Sequence, residues 1–167
     1  MTISDIVKYF QAEKNESLIF VLIGVIAIVV SCYGLFVIRT DFFKGLAYPL
    51  LAVALIQLVV GGSVYLRSPR DIERVSKQLQ EEPAKIKTEE LPRMEVVNKN
   101  FVVYRYVEIA LALIGILLCV FLRGNSFWLG IGTGLTIQAL LMLGADYFAE
   151  QRALHYTKLI QSFISNS

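Results

Sequence analysis

The chain has 167 residues, 56% of them hydrophobic and only 18% charged, with a formal net charge of +2 and a mean hydropathy of +0.60. Soluble domains run at about 45–50% apolar and about 25% charged residues, so an ordinary soluble globular fold is excluded. The near-neutral charge, with basic residues interleaved among acids, also gives no signature of nucleic-acid binding.

The chain opens Met1-Thr2-Ile3-Ser4-Asp5 and stays polar through Lys14 and Glu16, unlike a cleaved signal peptide with its basic start, short apolar core and small-residue end. Ser4 is placed to cap a helix reaching about Glu16. Its apolar residues Ile3, Ile6, Val7 and Phe10 share one face, which predicts an amphipathic helix lying in the membrane surface. Four apolar segments come after it. A hydrocarbon core about 30 Å thick needs roughly 20 residues of helix, and the expected spans are 18–38, 45–66, 102–122 and 126–147. The third is the weakest, because it carries Glu108 and needs residues from Phe101 onward to reach across. Cys32 and Cys119 lie inside apolar segments with no CxxC or histidine neighbour and read as small packing residues.

The first two spans are joined by the stretch Arg39 to Lys44, the last two by Arg123-Gly124-Asn125-Ser126. Helices joined this tightly are antiparallel neighbours. The expected organisation is therefore an N-terminal hairpin over 1–66, a charged helical loop over 67–100 and a C-terminal hairpin over 101–167. In the loop, Ser68-Pro69-Arg70-Asp71 has the form of a helix start, and Ile72, Val75 and Leu79 repeat at helical spacing. Pro83 and Pro92 are expected to break the rest of the loop into separate helical pieces, and its charge-rich surface reads chiefly as a solvated face. After Asp146 nothing stops the fourth helix before Ser165, and Leu154, Leu159, Ile160 and Phe163 give it an apolar side that Ile72–Leu79 is placed to cover.

Thirteen of the sixteen Lys and Arg residues fall in the N-terminal segment, the middle loop with Arg105, and the tail, against Arg39, Lys44 and Arg123 on the opposite side. The positive-inside rule then puts both termini and the large loop in the cytoplasm, with a bacterial inner membrane as the expected location. Trp128 and Phe127 fit an outer aromatic anchor, and Tyr104 and Tyr106 an inner one.

The halves resemble each other. At an offset of 91, Lys8 and Phe10 meet Lys99 and Phe101, and Leu22-Ile23-Gly24 meets Leu113-Ile114-Gly115; with a shift, Ile56-Gln57 meets Ile137-Gln138 and Tyr65 meets Tyr147. Two hairpins so related form a parallel repeat about an axis along the membrane normal. Gln57 and Gln138 then sit about 18 Å and about 17 Å below the outer surface, near the bilayer centre. A primary amide in hydrocarbon needs a partner, so the two are expected to face the bundle interior and each other, as structural glue before substrate binding.

Glu108 and Asp146 are the acids within the spans, and intramembrane acids are functional candidates. By depth, about 21 Å and about 28 Å from the outer side, both approach the inner interface. Arg105 lies three residues before Glu108 and is expected to pair with it along the helix. His155 is the sole histidine, on the tail helix, and reads as a surface or packing residue. Gly130-Ile131-Gly132-Thr133-Gly134 lies mid-span, not between strand and helix, so it is not a nucleotide fingerprint; Gly130 and Gly134 offer a small-xxx-small face for close helix contact, as Gly61-Gly62 does for the second span. Pro49 is a candidate kink.

The expectation is an all-α membrane protein: four transmembrane helices as two helical hairpins in a parallel repeat, plus cytoplasmic amphipathic helices. Neither catalytic residues nor a metal site nor a cofactor is expected. The leading functional expectation is a non-enzymatic protein in the lipid bilayer that binds another protein through its cytoplasmic helices or bundle surface, such as a toxin-neutralising immunity protein or an accessory or scaffold subunit, with a homodimer as a candidate assembly. The alternative is a small transporter or channel with a polar path through Gln57, Gln138, Glu108 and Asp146, lined also by Ser63, Thr133 and Thr136. A membrane enzyme using Glu108, Asp146, Arg105 and His155 ranks third.

Overall fold

Thr2 rather than Ser4 begins the first helix. In the computed structural model, which describes residues 1–166, the Thr2 hydroxyl accepts from the Asp5 amide while the Asp5 carboxylate accepts from the Thr2 amide at 2.8 Å, a reciprocal cap. Helix α1 (Ile3–Tyr33) then continues without a break through Glu16. The segment expected to lie in the membrane surface is instead the leading end of the first spanning helix, because Gln11 to Glu16 holds no proline or glycine to end it. Ile6 and Phe10, on the face expected to meet lipid, are fully buried against protein.

A π-helical segment (Gly34–Ile38) ends at Arg39 in the left-handed region, φ 58°, with its amide bonded to the Gly34 carbonyl. Thr40 comes next, and helix α2 (Asp41–Glu81) starts at once. The expected new start at Ser68 does not occur. α2 runs through Pro49 and Pro69, and the buried Ser68 hydroxyl donates back to the Val64 carbonyl at 2.7 Å instead of capping. A serine at a buried mid-helix position satisfies itself this way, and the missing proline amides cost one helical bond each without ending the helix. The chain turns at Glu82–Lys85, passes a second π-helical segment (Ile86–Glu90) and enters helix α3 (Leu91–Phe121). Pro92 interrupts nothing: it sits where the π-helical segment passes into the first turn of α3, and the Leu91 amide before it keeps its bond to the Ile86 carbonyl. Asn125 caps helix α4 (Ser126–Ser165) by accepting from the Phe127 and Trp128 amides.

All four helices are long and apolar enough to cross a membrane; the chain is an all-helical, four-helix membrane protein. At 41 and 40 residues, α2 and α4 are about 60 Å long, twice the hydrocarbon thickness of about 30 Å, so each has a second half outside the spanning layer. α1 packs on α2, α2 on α4, and α4 on α3, giving the order α1–α2–α4–α3.

Glycine sets this order. A Cβ on Gly130 would stand 2.8 Å from the Leu46 amide, and one on Gly134 2.9 Å from the Leu46 carbonyl, both backbone of α2. Two residues round the helix, Gly132 faces the other way, where a Cβ would stand 2.6 Å from the Gly115 carbonyl of α3. The alternate glycines of 130–134 thus hold α4 against both neighbours at backbone distance. Gly61 lies equally close to the Ser17 carbonyl of α1, whereas Gly62 has nothing within 4 Å.

The larger buried cluster lies at the end of the bundle away from the Arg39–Thr40 and Leu122–Asn125 turns. Ile6, Tyr9 and Phe10 of α1, Val75 of α2, Ile86 and Met94 of the α2–α3 connection and α3, and Ala153, Tyr156 and Ile160 of α4 form one buried cluster, with Ile72, Leu79 and Phe163 packed against it. Tyr9 and Tyr156 stack at 4.2 Å with rings 6° from parallel, and Phe10 meets both edge-on. We call this unit the head; both chain ends and the α2–α3 connection converge on it. In the spans, by contrast, only 17–33% of each helix's most apolar stretch is buried. Phe10→Ala should therefore destabilise the chain by about 3–5 kcal/mol, read as a lowered midpoint of helix loss in mild detergent. Leu113→Ala on the open face of α3 should change it little, and equal effects would contradict the division into head and spans.

Candidate functional site

Glutamates that the apolar periodicity of their helices places inward fill the head. Glu90 follows Ile86 and precedes Met94 by four residues each, so the stripe that buries those two also buries the carboxylate, which is 0% exposed. It survives there because Arg93 and Arg74 reach it, at 2.6 Å and 3.1 Å. Arg93 also covers the Phe10 ring at 5.3 Å. Removing either arginine would leave a buried charge short of a partner. Gln78 donates to Glu89 at 2.7 Å, Asn98 of α3 donates to Thr157 of α4 at 2.9 Å, Arg67 of α2 holds Glu13 of α1 at 3.0 Å, and Arg152 of α4 holds Glu16 of α1. The loop expected to be mainly a solvated face is therefore solvated only on its outer side, with Glu81, Glu82, Lys87 and Glu89 exposed at the tip.

The four intramembrane candidates separate into two places. Gln57 and Gln138 are both buried, at 1% and 2% exposure. No hydrogen bond joins them, and among the described residues Gln57 Oε1 and both polar atoms of Gln138 have no partner. Gln57 lies against α1, where a Cβ on Gly24 would stand 3.4 Å from its Oε1. The hydroxyls expected along a polar path turn back onto their own helices: Ser63 to Val60, Thr133 to Leu129 and Thr136 to Gly132 carbonyls, at 2.8 Å each.

Glu108 and Asp146 do come together. They line a cavity of about 60 Å³ between α3 and α4, at the head end of the spans, with Arg105, Glu150 and the side chains of Phe101 and Tyr147. Arg105 does not pair with Glu108, as expected from their spacing, but with Glu150 across the α3–α4 interface. The physical reason is burial: Arg105 is exposed, with 45% of its side chain open, while Glu108 is 2% exposed and faces inward. Among the described residues, both Glu108 carboxylate oxygens lack a hydrogen-bond partner.

Glu90, Glu13 and Glu150 do not stand out from the sequence as candidates, although it carries a signal for them. Each falls on the i, i+3, i+4 stripe of buried residues, Glu13 between Phe10 and Ser17, Glu150 before Ala153, and an acid in an apolar stripe marks a buried ion. His155 is exposed, beside a cleft of about 190 Å³ lined also by Lys8, Arg152 and Tyr156. Among the described residues no three His, Cys, Asp or Glu side chains are grouped to hold a metal ion. No protein-family model matches the chain, and neither a curated protein nor a solved structure proved similar to it.

Burial pushes the Glu13 carboxyl above the ordinary glutamate range, against the opposing pull of Arg67, and leaves its Oε2 without a partner. The folded state therefore binds more protons than the unfolded one between the ordinary and the raised value. Stability from this group is present at low pH and is lost as pH rises through that window. Glu13→Gln should flatten the fall of the melting midpoint with pH over that range; an unaltered pH profile would show that Glu13 titrates as an exposed acid.

Proposed function

We propose that this chain is a non-enzymatic membrane protein that works by binding another protein. The observation that carries this reading is the head. It is a preformed four-helix unit with its own aromatic core and internal ion pairs, and it presents a charged tip at 80–89 rather than a loose loop. A rigid surface loses little entropy when it docks. The tight turns at the opposite end, Arg39–Thr40 and Leu122–Asn125, leave little there for a partner to grip. Two concrete forms fit, an immunity protein that neutralises a toxin and an accessory or scaffold subunit of a membrane complex.

We further propose that the membrane is the bacterial inner membrane and that the head faces the cytoplasm, since it carries most of the Lys and Arg. The helices then form two antiparallel hairpins. A parallel repeat is supported by the symmetrical order α1–α2–α4–α3 and by Gly24 and Gly115, 91 residues apart, each set against the helix that follows it. Transport is the second reading, favoured by the buried, unpartnered Glu108 and Gln138.

A photoreactive residue at the exposed Ala84, with Phe121 at the far end as control, tests the leading reading in intact cells. Binding predicts one defined protein adduct at position 84, reduced at least tenfold by Lys77→Glu with Lys87→Glu and unmatched at 121. No adduct at the head, together with solute flux in liposomes that Glu108→Gln abolishes, would transfer the case to transport.

A further inference from the structure

We propose that Glu108 and Asp146 share a single proton, making the cavity between α3 and α4 a protonation site at the head end of the spans. The observations are geometric. The two carboxyl groups line one cavity of about 60 Å³ within hydrogen-bonding reach of each other, and among the described residues no amide, hydroxyl or guanidinium donates to either Glu108 oxygen. A buried carboxylate with no donor has lost its water without replacement. With the half-buried Asp146 carboxyl beside it, the two cannot both hold a full negative charge cheaply.

The neighbouring charges offer no relief. From α3, Arg105 is the only cation in the cavity wall, and it is engaged by Glu150. From α4, Glu150 adds negative charge, as does Glu16 of α1, which Arg152 holds. The surroundings therefore offer Asp146 and Glu108 no free positive charge. The other walls come from Phe101, Leu143 and Tyr147. Glu150 is taken up by Arg105, and among the described residues no three His, Cys, Asp or Glu side chains are grouped to hold a metal ion. A proton needs only two oxygens within reach of each other. It enters from water on the head side, where Asp146 is half-buried and Arg105 exposed. One carboxylate takes up the proton as an O–H and donates it to an oxygen of the other, so the pair carries one negative charge in place of two.

Infrared spectroscopy of the full chain in liposomes tests this at neutral pH, with helicity by circular dichroism as the check on folding. The expected result is a protonated-carboxyl C=O band that shifts in D₂O, is lost in Glu108→Gln, is displaced or lost in Asp146→Asn and persists in Glu150→Gln. Should Glu108→Gln fail to fold, displacement of the band in Asp146→Asn decides. The proposal is overturned if the folded chain shows no such band, if the band survives Glu108→Gln unchanged, or if sodium rather than proton concentration alters the carboxylate bands.

Discussion

The structure depends on the backbone contact that Gly130, Gly132 and Gly134 allow. Lipid tails are as apolar as leucine, so spanning helices gain little by hiding apolar surface from one another; they associate by close packing. On α4 the even-numbered glycines alternate between two neighbours, Gly130 and Gly134 toward Leu46 of α2, Gly132 toward Gly115 of α3. α4 is thereby the shared middle of the layer, and the order α1–α2–α4–α3 results. Gly61 brings α1 against α2 by the same means.

The head obeys different rules, those proposed for a unit that stands in water. There the hydrophobic effect operates, and Tyr9, Phe10, Met94, Tyr156 and Ile160 form a core of the ordinary soluble kind. Two kinds of contact thus hold each long helix along its length: small residues at the helix–helix contacts of the spans, large apolar and aromatic residues at those of the head. The two layers share their helices, so the glycine contacts and the head core are joined by continuous helix. The Glu108–Asp146 cavity lies at the junction, where α3 and α4 leave the glycine contact and enter the ion-paired region of Arg105 and Glu150.

Much of this was legible in the sequence. Four apolar stretches with little or no charge announced the four helices, the unbroken tail after Asp146 announced the extension of α4, and Gly130 with Gly134 announced a close contact. Two local signals misled. Ser4 and Ser68 have the residue type of a helix start, yet the helices ignore them, because Thr2 with Asp5 makes the better cap and because burial lets Ser68 bond to Val64. Spacing along one helix suggested Arg105 with Glu108; the stronger constraint was which face of α3 is open, a property of how α3 and α4 meet. The ion pairs of Glu90, Glu13 and Glu16 join residues 16 to 136 apart in the chain, and no local pattern names such partners, although the apolar stripes mark the acids that need them.

The most direct test of this account compares glycines by what lies beside them. Isoleucine at Gly130 or Gly132 places a branched side chain against backbone, whereas isoleucine at Gly62 or Gly144 meets nothing within 4 Å. Measured as the melting midpoint of the purified chain in mild detergent, the first pair should fall sharply or fail to assemble and the second pair should stay within a few degrees of the parent. Equal midpoints for Gly130→Ile and Gly62→Ile would contradict the claim that backbone contact at α4 holds the spans together.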